Sequence, residues 1–177
     1  MALKVTADMI RKLREITGAP VIRAKKVLEE VMGDLPADAT RQALQAGEKK
    51  AEKILREEGY EAAQKKVARK THEGLLFSYV HHSGKVASLV ELLCETDFVA
   101  RNKLFQDLGH NLALQVAAMN PKNVDELMEQ EFINPSGLQP SLVKDPSNKI
   151  LDLVKDVIAK TGENVRISRI YRVELGE

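Results

Sequence analysis

A single cysteine in 177 residues, Cys94, has no partner for an intramolecular disulfide and no CxxC neighbour with which to close a structural zinc site. That scarcity fits a reducing compartment, and the cytoplasm is the expected location. No run approaches the roughly eighteen uninterrupted apolar residues that cross a bilayer. Met1 to Gly18 is amphipathic and carries acidic residues, whereas a secretory signal is basic, then apolar, then small. Neither a membrane nor export is therefore expected. An excess of one charge is missing too: 27 Lys and Arg nearly cancel 26 Asp and Glu, so the chain lacks the positive field of a protein that lives on phosphate backbones.

The motifs of common chemistries are also absent. No GxxxxGK[ST] loop and no GxGxxG after a strand occurs, which leaves no obvious nest of backbone amides for a nucleotide phosphate. Direct nucleotide binding is not expected, and the chain should not be a GTPase. GxSxG and HExxH are missing as well, and His72, His81, His82 and His110 show no spacing that pairs them with a nucleophile or completes a metal shell. His81 and His82 read as ordinary surface or turn residues. No enzyme, cofactor or metal site is expected.

What is present describes a chain that folds, with a hydrophobic fraction of 44 % and a charged fraction of 30 %, far from the composition of a disordered segment. Its length suits one medium domain or a small module plus a core, and the patterning favours two units. Thr6 stands at an N-cap position, and Met9, Ile10, Leu13 and Ile16 recur at helical spacing until Gly18 offers a stop. Pro20 suits the first turn of a second helix with Val21, Ala24, Leu28 and Val31 on one side and Gly33 at its end. After Asp34 and Pro36 a third pattern places Ala39, Ala43, Ala51 and Ile54 inside, with Gly47 as a weak point. Residues 49–70 are charged and Ala-rich without a broad apolar face, which predicts an exposed helical connector.

Beyond the connector, Gly74–Val80 and Val86–Leu93 suit strands, and the turn-like His82-Ser83-Gly84-Lys85 between them predicts an antiparallel hairpin. Phe98 to Met119 returns to helical spacing through Phe105, Leu108, Leu112 and Val116 until Asn120-Pro121 stops it. Glu131–Ser147 holds three prolines and a glycine and reads as an irregular loop, followed by a helix over Asn148–Lys160. In Asn164–Leu175, Val165, Ile167, Tyr171 and Val173 alternate as a strand would, so a third strand can join the hairpin. The fold class is α+β, with a core of a three-stranded antiparallel sheet packed with helices.

Two stretches go further. Leu13-Arg14-Glu15-Ile16-Thr17-Gly18-Ala19 with Lys25-Lys26-Val27-Leu28, and Cys94-Glu95-Thr96-Asp97-Phe98-Val99-Ala100-Arg101, resemble the L-R-x-x-T-G-A…K-K-A-L opening and the T-D-F-V signature of the elongation factor Ts family. Ala62-Ala63-Gln64-Lys65-Lys66 with Glu73-Gly74, and Gly162-Glu163-Asn164-Val165-Arg166-Ile167, match in the same order, so the resemblance runs over nearly the whole chain. It implies a ubiquitin-associated-like three-helix module over 1–57, a linker over 58–73 and an α+β dimerisation core over 74–177. The activity it implies is guanine-nucleotide exchange on elongation factor Tu without covalent chemistry. Thr96, Asp97, Phe98 and Val99 would then intrude beside the partner's magnesium site, and Arg14, Val21, Ile22 and Lys25 would hold its nucleotide-binding domain.

Each of these residues has a plainer reading. Thr96 or Asp97 can be a helix N-cap and Phe98 a core residue of that helix; Val21 and Ile22 can pack the bundle; Arg14 and Lys25 can be solvated charges. Cys94 reads as a buried strand residue. The chain also departs from the family pattern, with Pro20, Val21 and Ile22 where Gly and two Met are usual, and Arg23 and Ala24 where an Asp-Cys pair is usual. The stretch 36–53 is longer than the usual third helix by about three turns. Sequence for only one three-stranded unit leaves a sheet edge unpaired and a face uncovered, which predicts a homodimer.

A rival reading takes Lys49, Lys50, Lys53, Arg56, Lys65, Lys66, Arg69 and Lys70 as a nucleic-acid patch. Glu52, Glu57, Glu58 and Glu61 dilute it, and only Tyr60 is there to stack on bases, so nucleic acid is not the expected partner. A generic adaptor that grips a partner without exchanging anything is the third reading.

Overall fold

Thr6 opens the first helix: its hydroxyl accepts from the Met9 amide at 3.3 Å, and α1 (Ala7–Thr17) runs to Gly18, whose φ of 70° no Cβ-bearing residue adopts easily. The structure is a computed structural model that describes residues 4–33, 35–36, 38–133 and 149–176. After Pro20 comes α2 (Val21–Met32), and Thr40 caps α3 (Arg41–Gln64), a single helix of 24 residues. The described residues divide into two compact units, one reaching Lys65 and including Ala159–Thr161, the other starting at Lys66.

The first unit is built from α1, α2 and α3 around Leu13, Ala24, Val27, Leu28, Met32, Ala51 and Leu55. Two expectations need correction here. Val21, read on one side of α2 with Ala24, Leu28 and Val31, is 49 % exposed, because the buried stripe runs through Ala24, Val27, Leu28 and Met32. Residues 49–64 are not an exposed connector but the body of α3. Gly47, Ala51, Leu55 and Ala63 are buried at multiples of four residues, a stripe of small side chains too narrow to register as an apolar face. Gly47 is a packing slot, since a Cβ there would stand 2.8 Å from Met32 Cγ. Arg23 on α2 donates to both carboxylate oxygens of Glu58 on α3, and this pairing holds Glu58 below the usual carboxylate range.

The second unit holds a three-stranded antiparallel sheet, β1 (Glu73–Val80), β2 (Val86–Cys94) and β3 (Arg166–Glu174), with β2 central. The hairpin turn closes through Gly84, at φ 68°, whose amide donates to His81 O at 2.8 Å. Among the described residues the remaining helices are α4 (Asp97–Ala100), α5 (Lys103–Met119), α6 (Val124–Glu129) and α7 (Ile150–Thr161). The helix expected from Phe98 to Met119 is therefore two, because Asn102 turns its side chain back to the Leu104 amide at 2.9 Å and starts a new helix there. Most of the loop expected over Glu131–Ser147, and residue 148 of the helix expected after it, lie outside the described residues.

Phe77, Ser88, Val90, Leu92 and Cys94 face inward, and α5 covers them with Phe105, Leu108, Leu112, Ala113 and Val116. Ser88 Oγ donates to Ala113 O at 2.6 Å, tying β2 to α5. Gln115 is fully buried and satisfied, accepting from the Ile133 amide and donating to Gln130 Oε1 and Glu131 O. β3 corrects the strict alternation read from sequence. Ile167 pairs with Leu92 and Arg169 with Glu91, so Ser168 is an extra residue that flips the phase of the strand. Ile167 is buried, while Tyr171 and Val173 are 54 % and 69 % exposed on the opposite face. That outer face also carries Leu76, Val80 and Leu89, and the Glu91 and Arg169 side chains join across it by two hydrogen bonds of 2.9 Å.

Glu91 is held down to about 2 by the Arg169 guanidinium, then by Ser168. A carboxylate lowered in the folded state stabilises fully above its ordinary value, and the contribution fades as pH falls through the folded value. Thermal melts between pH 5 and pH 2 should show Glu91→Gln losing less stability with acidification than the parent protein. Equal losses would mean the pair is not linked to folding.

Candidate functional site

In the second unit, β2 delivers the chain to Cys94, which is fully buried, and the next residues turn outward. Thr96 is extended, at φ −132° and ψ 157°, and caps α4 by accepting from the Val99 amide at 3.4 Å. Its hydroxyl donates to Glu163 Oε1 at 2.7 Å, its amide donates to Glu163 Oε2 at 3.0 Å, and its carbonyl accepts from Cys94 Sγ at 3.1 Å. With every polar atom of Thr96 engaged, the directions of the following side chains are set. Val99 and Ala100 turn into the core, Asp97 stays at the surface, and the Phe98 ring is left 79 % exposed. Burial, then the Glu163 carboxylate, pushes the Cys94 thiol up to about 11, so at neutral pH it is a protonated hydrogen-bond donor and not a nucleophile.

The plainer reading of the Thr96–Val99 segment holds for one residue and fails for another. Thr96 is a helix cap, and Phe98 is outside the core. An aromatic ring with most of its area in water contributes little to folding where it stands, but it is a rigid apolar anchor when a partner covers it. Asp97 pairs with Arg101 at 3.0 Å across one helical turn; both are exposed, and such a pair adds only a fraction of a kcal/mol.

In the first unit, Val21, Ile22 and Lys25 occupy the first turn of α2, about 40–60° apart around the axis for the pairs that share Lys25, and all three are exposed. Ile22 is 83 % exposed, and Lys25 lies 3.6 Å from Glu29 one turn on. Arg14, at the end of α1, is exposed but is more than a solvated charge: its Nε donates to Ala19 O at 3.2 Å, bracing the turn from which α2 starts. The polarity of this face is mixed, with Val21 and Ile22 beside the Lys25–Glu29 pair, which suits a protein surface better than a phosphate backbone. The basic residues of the rival patch are partly neutralised, Arg56 by Glu52 at 3.8 Å and Arg69 by Glu95 at 3.5 Å.

Glu163 has no part in the site as patterning alone reads it. It reaches Thr96 across 67 residues, a separation that leaves no local trace; its place in one of the four matching blocks is the only pointer to it. A cavity of about 390 Å³ in the second unit is lined by Tyr79, His81, Val86, Leu114, Ala117, Ala118 and Ile133, a nearly apolar wall without the convergent charged groups that catalysis requires. Among the described residues no group of three or more His, Cys, Asp or Glu could hold a metal ion, and no helix is long and apolar enough to cross a membrane.

Comparison with known proteins supplies the rest. A family model described as Elongation factor TS matches residues 95–177. Elongation factor Ts of Thermotoga neapolitana is 39 % identical over 99 % of this chain and 99 % of its own. The protein of the same name from Thermotoga maritima is 36 % identical over 99 % of this chain and 98 % of its own, and that of Nitratidesulfovibrio vulgaris 38 % identical over 98 % of each. An exposed aromatic at a clamped corner of an α+β unit, a helical unit with an exposed apolar patch, and end-to-end similarity to these relatives lead to one assignment: the chain belongs to the elongation factor Ts family.

Proposed function

We propose that this protein is a guanine-nucleotide exchange factor for elongation factor Tu in translation elongation, acting in the cytoplasm by protein contacts alone. Of the Thr96–Val99 segment, Thr96, Asp97 and Phe98 form the part that intrudes beside the partner's magnesium and phosphates, while Val99, buried in the core, anchors the turn from within; Arg14, Val21, Ile22 and Lys25 grip its nucleotide-binding domain. One observation carries this reading: a phenylalanine kept 79 % in water at a corner where Thr96 is hydrogen-bonded through its amide, hydroxyl and carbonyl. A residue so placed costs the free protein solubility without adding to its core, and a pocket on a partner accounts for it.

The mechanism rests on the ion it disturbs. By pressing the Phe98 ring into the partner, the segment would shift the groups that hold its magnesium and phosphates, which would weaken the binding of both metal and nucleotide. A thousandfold faster release requires about 4 kcal/mol, which a few buried contacts supply. By linkage the factor is itself bound less tightly when nucleotide is present, so GTP or GDP drives it off and one molecule serves many partners. Release of labelled GDP from elongation factor Tu should accelerate with catalytic amounts of this protein; an unchanged rate would sink the reading, and a steeply salt-dependent affinity for RNA would favour the nucleic-acid alternative.

In this reading residues 1–57 are a ubiquitin-associated-like module, 58–73 a linker whose first turns finish α3, and 74–177 a dimerisation core. The open sheet face supports the last point. Leu76, Val80, Tyr171 and Val173 leave a patch of apolar surface that a second copy would bury. Light scattering at micromolar concentration should return the mass of two chains, and a monomer mass would contradict it.

A further inference from the structure

Phe98 is exposed, yet the corner that presents it is held by hydrogen bonds of Thr96, and two of them come from far along the chain. Glu163 places one carboxylate oxygen on the Thr96 amide, at 3.0 Å, and the other on its hydroxyl, at 2.7 Å. The same hydroxyl accepts from the Val99 amide, so the carboxylate, the threonine and the first turn of α4 lie in series. The grip is mutual. Glu95 Oε1 accepts from the Asn164 amide at 2.6 Å, so residues 95 and 96 and residues 163 and 164 each offer a carboxylate to the other's backbone. Asn164 is itself buried and pinned, its side-chain amide donating to Val67 O at 3.1 Å and Arg69 O at 2.9 Å. The Glu163 carboxylate therefore stands on a fixed base.

We propose that Glu163 is a positioning residue for exchange: through the two hydrogen bonds to Thr96 it holds the Phe98 ring at the angle at which it enters the partner, without touching the partner itself. The inference rests on the exchange reading above. A hydrogen bond to a charged acceptor is stronger than a neutral one, and two from a single carboxylate to one residue fix a direction as well as a distance. Freed of them, Thr96 keeps local bonds alone, its cap to Val99 and the Cys94 thiol and Ala100 amide on its carbonyl, and the ring samples orientations that miss its pocket. The ordering that Glu163 supplies in the free protein would then fall on the complex.

The test is the rate of labelled GDP release from elongation factor Tu as a function of exchange-factor concentration, for Glu163→Ala and Glu163→Gln, each in the parent and in a Phe98→Ala background. Glu163→Ala should lower the saturating rate about tenfold and move the half-saturating concentration less than about twofold, since the rest of the interface is intact. Glu163→Gln should fall between, because its amide oxygen still accepts from the Thr96 hydroxyl while its NH2 group faces the Thr96 amide. In the Phe98→Ala background the same substitutions should change the rate by less than about twofold, because a residue that acts through Phe98 has nothing left to position. Thermal melts identify any variant that does not fold, and the isosteric Glu163→Gln then carries the test alone. If Phe98→Ala slows release but the Glu163 variants match the parent, the positioning role is overturned and the exchange reading stands. Equal slowing in both backgrounds overturns it as well, by showing an action not exerted through the ring. If Phe98→Ala leaves release unchanged, both fall together.

Discussion

Phe98→Ala is expected to slow GDP release from elongation factor Tu by about thirtyfold to a hundredfold while leaving the melting temperature within about two degrees of the parent. The two halves of that expectation have the same origin. A ring with 79 % of its area in water leaves no cavity when truncated, and surface changes of this kind fall within about 0.5 kcal/mol of neutral. The same ring buried in a partner's pocket is worth about 2 to 2.8 kcal/mol, which converts to the stated range in rate. Asp97 is the useful contrast. Its exposed pairing with Arg101 is worth a fraction of a kcal/mol, so truncating it should disturb the fold as little as Phe98→Ala does. A Phe98→Ala protein that exchanges as fast as the parent would refute the wedge, and one that melts well below it would show the ring to be structural after all.

Gly109→Ala should destabilise the second unit by about 2 kcal/mol, although alanine is the better helix former by about 1 kcal/mol. Gly109 sits in the middle of α5 with its Cα facing the Phe77 ring, and a Cβ there would stand 2.2 Å from Phe77 Cδ2 and 2.5 Å from Cγ. The ring has little room to retreat: it is buried, with Phe105 at 6.0 Å and the His110 ring edge-on at 5.1 Å. Overpacking of this kind costs about 1–3 kcal/mol or more, and with so many atoms in conflict it outweighs the gain in propensity. A fall in melting temperature of about 4–8 °C is the measurable form. Phe77→Leu should couple favourably with Gly109→Ala, since the smaller side chain vacates the contested space. A Gly109→Ala protein as stable as the parent would mean that α5 can shift off the sheet.

Much of the fold could be read from local signals because those signals are themselves local physics. Thr6, Gly18 and Asn120 mark helix ends by hydroxyl capping and left-handed backbone, and the hairpin turn announces itself through Ser83-Gly84. What escaped reading depends on contacts or on counts of one. A six-residue helix such as α6, started by Asn123, is too short to display a period. Ser168 shifts the phase of β3 by a single position, and nothing in the sequence distinguishes that residue from any other strand serine. The stripe on α3 is made of Gly, Ala and Leu at multiples of four, and surrounding charge hides it. At the candidate site the limits are sharper. Phe98 falls in register with the apolar residues of the following helix, so spacing alone assigns it to the core. Only the resemblance of the Thr96–Val99 segment to a family singled it out, and its exposure depends on the break at Asn102 and on Glu163, which no local pattern could supply.

The lone thiol at the foot of this corner has a practical consequence. Cys94 is sealed beneath the sheet and protonated at neutral pH, so an alkylating reagent meets it only in molecules whose central strand has come away. With a single sulfhydryl in the chain, every labelled molecule records one such opening. The protein thus carries its own stopwatch for the loosening of the very strand that delivers the aromatic side chain to its post.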